Sequence, residues 1–497
     1  MFLKDLLRGT DVKFDSETGK IDVAGLDYNS QRIEPDFLFV AIKGFTTDGH
    51  KYIINAIENG ATVIIVEKSW FDKKKLKYLE YGSKKIPILV SKDNRVLLSK
   101  ISANFYKHPS KKLKVIGVTG TNGKTTITYL LESILKAKNQ KVGVIGTINY
   151  RIGDEIFPAP ATTPESLEIN KLLAQMLEEK VKYVIMEVSS HSLELHRVDD
   201  IQFDYAVFTN LTEDHFDFHK NYTNYFKAKK RLFNLLNKSS KKKKTGIINI
   251  DDKYGKRLFN EFKKKINVKS YSLNGKADLV AQDIKLGVNG TNFILRYNRK
   301  LTRMSLNLIG RFNVYNALAA IGVAVAENIG INTVKKGLSN LKSVPGRLQI
   351  INAGDFYVGI DYAHTDDALK NVLQTIEELN VEKIITVFGA GGDRDKDKRQ
   401  KMGRVAALLS DVVIITSDNP RTEKPSAIIS EIEKGVLAIR NDNYFKIVNR
   451  KKAIKKAVKL AEKDSFVLIA GKGHEDYQII GTKKKHFSDF EIVKKLL

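Results

Sequence analysis

Residues 114–139 read KVIGVTGTNGKTTITYLLESILKAKN. An apolar, β-branched run leads into a turn carrying Gly120 and Gly123, and the turn opens a stretch with the Ile and Leu spacing of an amphipathic helix. A strand, a glycine turn and a helix in that order form a phosphate cradle. Backbone N–H groups of the turn point at an anion, and the helix N-terminus adds its partial positive charge. Lys124 is spaced to reach outer phosphates and Thr125 to ligate Mg²⁺. The expected ATP contacts here are Gly120, Thr121, Asn122, Gly123, Lys124, Thr125 and Thr126. The eight-residue consensus of such loops would put its first glycine at Val118, so this loop uses a shorter spacing that begins at Gly120.

Working outward, apolar runs recur between helical stretches: KVGVIGT (141–147), YVIMEVSS (183–190), YAVFTNL (205–211) and GIINI (246–250). This alternation predicts a mostly parallel sheet covered by helices. The lysine- and serine-rich link at 238–244 reads as a loop within that domain. After VPGR (344–347) the alternation restarts with EKIITVFGAGG (382–392), DVVIITSDNP (411–420), YFKIV (444–448) and SFVLIAGKG (465–473). Upstream, short strand-like runs at 37–42, 62–66 and 86–90 form a smaller α/β unit. A chain of 497 residues exceeds what one hydrophobic core supports. The expectation is α/β with three domains: an N-terminal domain at 1–108, a central phosphate-loop ATPase domain at 109–343, and a C-terminal Rossmann-like domain at 344–497.

The 84 Lys and Arg against 57 Asp and Glu give a formal charge of +27, which raises a polyanionic partner. The lysines, however, fall in short clusters (73–75, 241–244, 263–265, 483–485) without interleaved aromatic residues. A solvated surface is the expected reading, with no nucleic-acid partner. No apolar stretch reaches the length of a membrane helix and no export signal opens the chain, so no membrane partner and a cytoplasmic location are expected. Cysteine is absent, which excludes disulfides and thiolate chemistry.

Two further strand ends carry chemistry. YVIMEVSSH ends in Glu187, Ser189, Ser190 and His191, and YAVFTNLTEDHFDFH ends in Asp214, His215, Asp217 and His219. Adjacent strand ends of this kind converge on one metal and phosphate centre. In the C-terminal third, GAGGDRDKDKR, SDNPR and AGKGHE all follow apolar strands. An arginine after Asp-Asn-Pro suits bidentate binding of a carboxylate, and Glu475 suits an ammonium group.

The segment GTNGKTT resembles the ATP loop of the Mur ligase family, and the resemblance runs from about Ser30 to Glu475. It implies an ATP-dependent amide ligase, with Lys124, Glu187, His215 and Lys229 as its catalytic residues. It implies Mg²⁺ held by Thr125, Glu187, His215 and a CO₂-derived carbamate on Lys229, which lies in the pattern Tyr225-x-x-Ala228-Lys229. The residues alone would make KAKKR (227–231) a solvated helix face. The resemblance further carries Asn313 and Asn316 of GRFNVYNALAA, and Arg347, to the nucleotide, with Asp361, Tyr362 and His364 facing it. It places a UDP-linked substrate on Ser30, Phe45, Thr46, Thr47, Thr162, Thr163, Ser189 and Arg197. Asn29-Ser30-Gln31 stands where the family usually has Asp-Ser-Arg, with Ala161 and Leu195 as two more departures. The implied partners are UDP-N-acetylmuramoyl-dipeptide and a diamino acid bound by Arg394, Asp418, Asn419, Pro420, Arg421, Gly471 and Glu475, and the implied state is a monomer. DNPR in the family marks a diamino acid bearing a second carboxylate, such as meso-diaminopimelate, over lysine. The competing readings are the L-lysine-adding ligase and another amide ligase of the family, of the folylpolyglutamate type.

Overall fold

The computed structural model describes residues 1–45 and 47–497. Three α/β sheets follow one another along the chain. The first joins Gly25–Asp27, Phe37–Val40, Ala61–Glu67 and Lys84–Ser91 in parallel and closes with the antiparallel edge strand Tyr78–Tyr81.

The second sheet has eleven strands, and its middle is parallel. Lys114–Thr119 lies between Tyr183–Glu187 on one side and Tyr205–Phe208 on the other. The two acidic and histidine-bearing strand ends therefore flank the phosphate-loop strand, which corrects the expectation that they adjoin each other. One strand deep between them, the loop at Gly120 receives side chains from both sides. At one end Leu279–Gly287, parallel to its inner neighbour, is followed by the antiparallel strands Gly290–Tyr297 and Lys300–Leu306, and at the other end the antiparallel strands Asn149–Ile152 and Glu155–Pro158 extend the sheet. Residues 239–244 form a loop leading into Thr245–Asn249 of this same sheet.

The third sheet pairs Tyr357–Asp361, Ser465–Ala470, Lys383–Phe388, Val412–Thr416 and Tyr444–Ile447 in parallel, with Gln349–Asn352 antiparallel at its edge. The central parallel strands Tyr183–Glu187, Tyr205–Phe208, Val412–Thr416 and Ser465–Ala470 are buried throughout, as strands covered on both faces must be. The site forms where the carboxyl ends of the second and third sheets approach one another. Among the described residues, no helix is long and apolar enough to cross a membrane.

Candidate active site

The phosphate loop is fixed by glycine and by its neighbours. Gly120 adopts φ +148° against the Thr209 side chain, and Gly123 adopts φ +90° against Asn316, so neither position accommodates a Cβ. Thr121 N–H donates to Asn210 O at 2.9 Å and Asn122 N–H to Asn210 Oδ1 at 2.9 Å, while Thr209 Oγ1 donates to Asn122 O at 2.7 Å. Lys124, first residue of the helix Lys124–Ala137, folds its ammonium back onto Gly120 O at 2.9 Å and Thr121 O at 2.8 Å. Burial pushes its pKa down. Thr126 is buried in the same first turn.

Glu187, 1% exposed, is the hub beneath the loop. Its carboxylate accepts from Thr125 Oγ1 at 3.0 Å, Thr147 N at 2.8 Å and Thr147 Oγ1 at 2.9 Å. Arg347 reaches across from the third sheet's region to Thr125 Oγ1 at 3.2 Å and lies over the Tyr362 ring. Asn316 donates to Asn313 Oδ1 at 3.0 Å, and Asn313 to Ile309 O at 2.8 Å, which seats Asn316 on the loop at Gly123. Asp361 receives the N–H groups of Leu348 and Ala363, and so shapes the turn that carries Tyr362 and His364.

Lys229 comes from the helix Tyr222–Lys238 and is 1% exposed. Its Nζ donates to Gly120 O at 2.7 Å and lies over the Tyr225 ring. Burial, with the charge of Lys124 added, holds its pKa well below the usual lysine range. His215 sits in the left-handed region at φ +57°, edge-on to His191 with ring centroids 4.8 Å apart. Burial holds it at about 4, against the pull of Asp214, so near neutrality its imidazole keeps a free lone pair. His219 and Phe218 pack on His191, so Asp214, His215 and His219 gather around one short helix, Phe216–His219. Asp217 is exposed on it.

A second group forms beside Glu187. Thr162 Oγ1 is 3.1 Å from Thr147 Oγ1, Thr163 Oγ1 donates to Glu187 O at 2.8 Å, and Ser189 N–H donates to Thr163 Oγ1 at 3.1 Å. Arg197 donates to Thr163 O at 2.9 Å and pairs with Glu165. From the first sheet's region, Phe45 projects outward and meets Phe218 edge-on at 5.9 Å. Thr47 Oγ1 lies 3.2 Å from Tyr52 OH. Ser30 is buried, its carbonyl held by Asn59, between Tyr28 and Arg32, which both bind Glu168. Thr46 lies outside the described residues.

A cavity of about 410 Å³ runs from His191, Asp214 and His215 to Arg394, Asp418, Asn419, Arg421, Gly471 and Glu475. At its far end Glu475 Oε2 accepts from Asn419 Nδ2 and Lys472 Nζ, each at 2.9 Å. Arg421 Nη1 donates to Gly392 O at 2.7 Å. Pro420 is buried behind it. The pocket with arginines and a carboxylate thus reaches the aspartate and histidine cluster, which adjoins the phosphate loop through Thr212 and Tyr225 at Thr121.

Comparisons with known proteins give the family. Three family models match in sequence: the Mur ligase family catalytic domain over residues 22–106, the Mur ligase middle domain over 118–324, and the Mur ligase glutamate ligase domain over 346–473. The chain is 46% identical over 496 residues to UDP-N-acetylmuramoyl-L-alanyl-D-glutamate--2,6-diaminopimelate ligase 1 of Clostridium acetobutylicum, covering 98% of each chain. The chain belongs to the Mur ligase family. A second such ligase, from Caldanaerobacter subterraneus subsp. tengcongensis, is 45% identical over 498 residues, covering 100% of this chain and 99% of the relative. A solved structure of a diaminopimelate ligase of the same name superposes with a TM-score of 0.70 at 29% identity, covering 100% of this chain and 98% of that one.

The site of this Mur ligase also contains residues that the sequence motifs did not single out. Thr147, at the end of the strand Val142–Ile145, makes two of the three hydrogen bonds to the Glu187 carboxylate, and its position after an apolar run was the available signal. Lys472 lies within the quoted AGKGHE and is wholly buried against Glu475. Lys398, lining the cavity, reads as one more residue of a charged run.

Buried histidines make this Mur ligase acid-sensitive. Burial holds His219 at about 4 and His474 at about 3, below the ordinary value near 6.5. The unfolded chain takes up these protons from pH 6.5 downward and the folded chain does not, so the stability these histidines contribute falls as pH drops below 6.5 and is level above 7. Thermal melts of the ligand-free protein should decline from pH 7 toward pH 5. His474→Asn should shallow that decline, and an unchanged slope would remove His474 from the account.

Proposed function

We propose that this Mur ligase uses ATP to join meso-diaminopimelate to UDP-N-acetylmuramoyl-L-alanyl-D-glutamate, in the cytoplasm and as a monomer. The observation that carries the reading is the cavity that joins the Asp214 and His215 cluster to a pocket offering Arg394, Arg421 and Glu475. Full-length similarity to ligases of that name supports it.

A carboxylate is too poor an electrophile to accept an amine, so the reaction activates it first. Gly120 to Thr126 hold ATP, and Lys124 exchanges the Gly120 and Thr121 carbonyls for phosphate oxygens. The γ-phosphoryl group moves to the D-glutamyl carboxylate, forming an acyl phosphate. Charge builds on the transferring oxygens, and fixed cations there lower the barrier most. The amine of the diamino acid attacks the acyl carbon, the C–N bond forms, and phosphate leaves with the C–O bonding pair. Ser30, Phe45, Thr46, Thr47, Thr162, Thr163, Ser189 and Arg197 hold the UDP-linked dipeptide. Asn313 and Asn316 steady the nucleotide loop, and Arg347 bridges to it.

Thr125, Glu187, His215 and a carbamate on Lys229 are the residues that would hold Mg²⁺. Among the described residues no three His, Asp or Glu side chains converge as a complete nest. A carboxylate, a hydroxyl and a neutral imidazole still suit Mg²⁺, which takes few protein ligands and completes its shell with water and phosphate. When bound, the ion offsets phosphate charge.

At the far end Arg421 and Arg394 face the second carboxylate, and Glu475 with Asp418 faces the ammonium group on the same carbon. We place the domain boundaries at 108/109 and 343/344. Phosphate release from ATP with UDP-N-acetylmuramoyl-dipeptide tests the reading. Diaminopimelate should support turnover well above lysine, with a thioether analogue close behind. Turnover on lysine equal to that on diaminopimelate would overturn the assignment.

A further inference from the structure

The pocket for the second carboxylate is built from two loops that leave different strands. Arg394 rides on 389–397, after the strand Lys383–Phe388, and Arg421 on 417–424, after Val412–Thr416. Beneath both lies Arg399, whose side chain is 0% exposed. Its Nη1 and Nη2 donate to Glu423 Oε2 at 2.9 Å and Oε1 at 2.8 Å, a two-pronged pair. Nη2 also donates to Gly391 O at 3.2 Å. Arg399 thus grips the second loop through Glu423 and the first through Gly391.

The surrounding bonds complete the clamp. Asp393 N–H donates to Glu423 Oε1 at 2.6 Å, Thr422 Oγ1 donates to Asp393 Oδ1 at 2.6 Å, and Gly392 N–H donates to Asn419 O at 2.9 Å. The Arg421 guanidinium lies against Gly391 and donates to Gly392 O. Arg399 pulls the Glu423 carboxyl down to about 2, so this charge pair persists at every pH the enzyme meets. A buried pair of this kind is poor at raising stability, since desolvation offsets much of its attraction. What it fixes is geometry: the two loops cannot slide apart without breaking the two-pronged pair and the Gly391 bond to one buried guanidinium.

We propose that Arg399, through Glu423 and the Gly391 carbonyl, is a positioning residue that sets Arg394 and Arg421 at the spacing one carboxylate requires, and so governs selection of the diamino acid. This inference rests on the diaminopimelate reading above. A built-in comparison exists. Arg399 also donates to Glu431 Oε2 at 2.8 Å, but Glu431 belongs to the helix Pro425–Leu437, and among the described residues its side chain is hydrogen-bonded to Arg399 and to neither loop.

The experiment is steady-state kinetics on the full-length chain, with ATP and UDP-N-acetylmuramoyl-dipeptide, for wild type, Glu423→Gln, Arg399→Lys and Glu431→Gln. Diaminopimelate and lysine are each titrated, and a melting temperature is recorded for every variant. Loosening a residue that orients a ligand contact costs about tenfold or more, so KM for diaminopimelate should rise by about that factor in Glu423→Gln and Arg399→Lys. Their kcat and KM for ATP should hold, and their preference for diaminopimelate over lysine should fall. Glu431→Gln should lower the melting temperature and keep the wild-type preference. Preference unchanged in both Glu423→Gln and Arg399→Lys would overturn the inference, and so would an equal fall in Glu431→Gln, which marks a general loss of stability. Wild type without any preference for diaminopimelate would instead defeat the functional reading, before any variant is compared.

Discussion

Lys229→Ala is expected to lower ATP-dependent ligation about a thousandfold, the scale seen when one preorganised electrostatic group is removed from a transition state. The position explains the size. Lys229 Nζ is buried 2.7 Å from Gly120 O, inside the loop that cradles phosphate, and Lys124 binds the same carbonyl. Two ammonium groups sharing one carbonyl repel, and burial further disfavours charge, so the Lys229 amine is driven toward its free-base form. A free-base amine adds to CO₂: the N–C bond forms, nitrogen gives up a proton, and a carboxylate appears where a cation would be costly. On the proposed reading that product would pair with Lys124 and would add a second anionic ligand, beside Glu187, to the donor set of Thr125 and His215. Wild-type enzyme stripped of CO₂ should therefore lose activity and regain it with bicarbonate, and ¹³C-bicarbonate should give a carbamate resonance absent from Lys229→Ala. Full activity in Lys229→Ala, or CO₂-independent wild type without that resonance, would leave Lys229 a mere hydrogen-bond donor to the loop.

The helix that carries Lys229 shows what was legible in the sequence and what was not. KAKKR looks solvated when read as a charge cluster. Yet Tyr225, Lys229, Leu232 and Leu236 recur at spacings of four, three and four residues, the buried stripe of a helix, and all four are buried. Periodicity held a signal that charge composition hid. The phosphate loop was legible because its physics is local: a strand, two glycines that the turn demands, and a helix start lie within consecutive residues. The parallel interior of the central sheet was legible from continuous apolar runs. Its edge hairpins were not, because strands such as Leu279–Gly287 and Gly290–Tyr297 are half exposed and mix Gln, Asp, Lys and Arg with their apolar residues. The order of strands was not local either, so Glu187 and His215 were placed on neighbouring strands when Lys114–Thr119 lies between them. The Arg399 clamp was the least visible, because its partners stand 24 and 32 positions away and DRDKDKR reads as surface.

Arg421→Ala should reduce kcat/KM for diaminopimelate about a hundredfold, close to 3 kcal/mol, within the range for removing one partner of a desolvated charge pair. Lysine has no second carboxylate, so its poor use should be almost untouched, and the ratio between the two substrates should collapse. The backbone makes this a clean test of the side chain. Arg421 sits at φ +50°, a conformation that alanine tolerates no better than arginine, so the variant introduces no new strain. The segment is also held independently of its side chain: Arg421 N–H donates to Ile479 O at 3.1 Å, and Gly481 N–H donates to Arg421 O at 2.8 Å. What disappears is a guanidinium whose Nη1 is anchored on Gly392 O, leaving the rest of its fork for the cavity that Asn419, Gly471 and Glu475 line. Arg421→Lys should recover little, since an ammonium cannot span both oxygens of a carboxylate from that anchor. If Arg421→Ala kept the wild-type ratio, the second carboxylate would have to be recognised by Arg394 alone. If both substrates fell together, Arg421 would serve the loop and not the ligand.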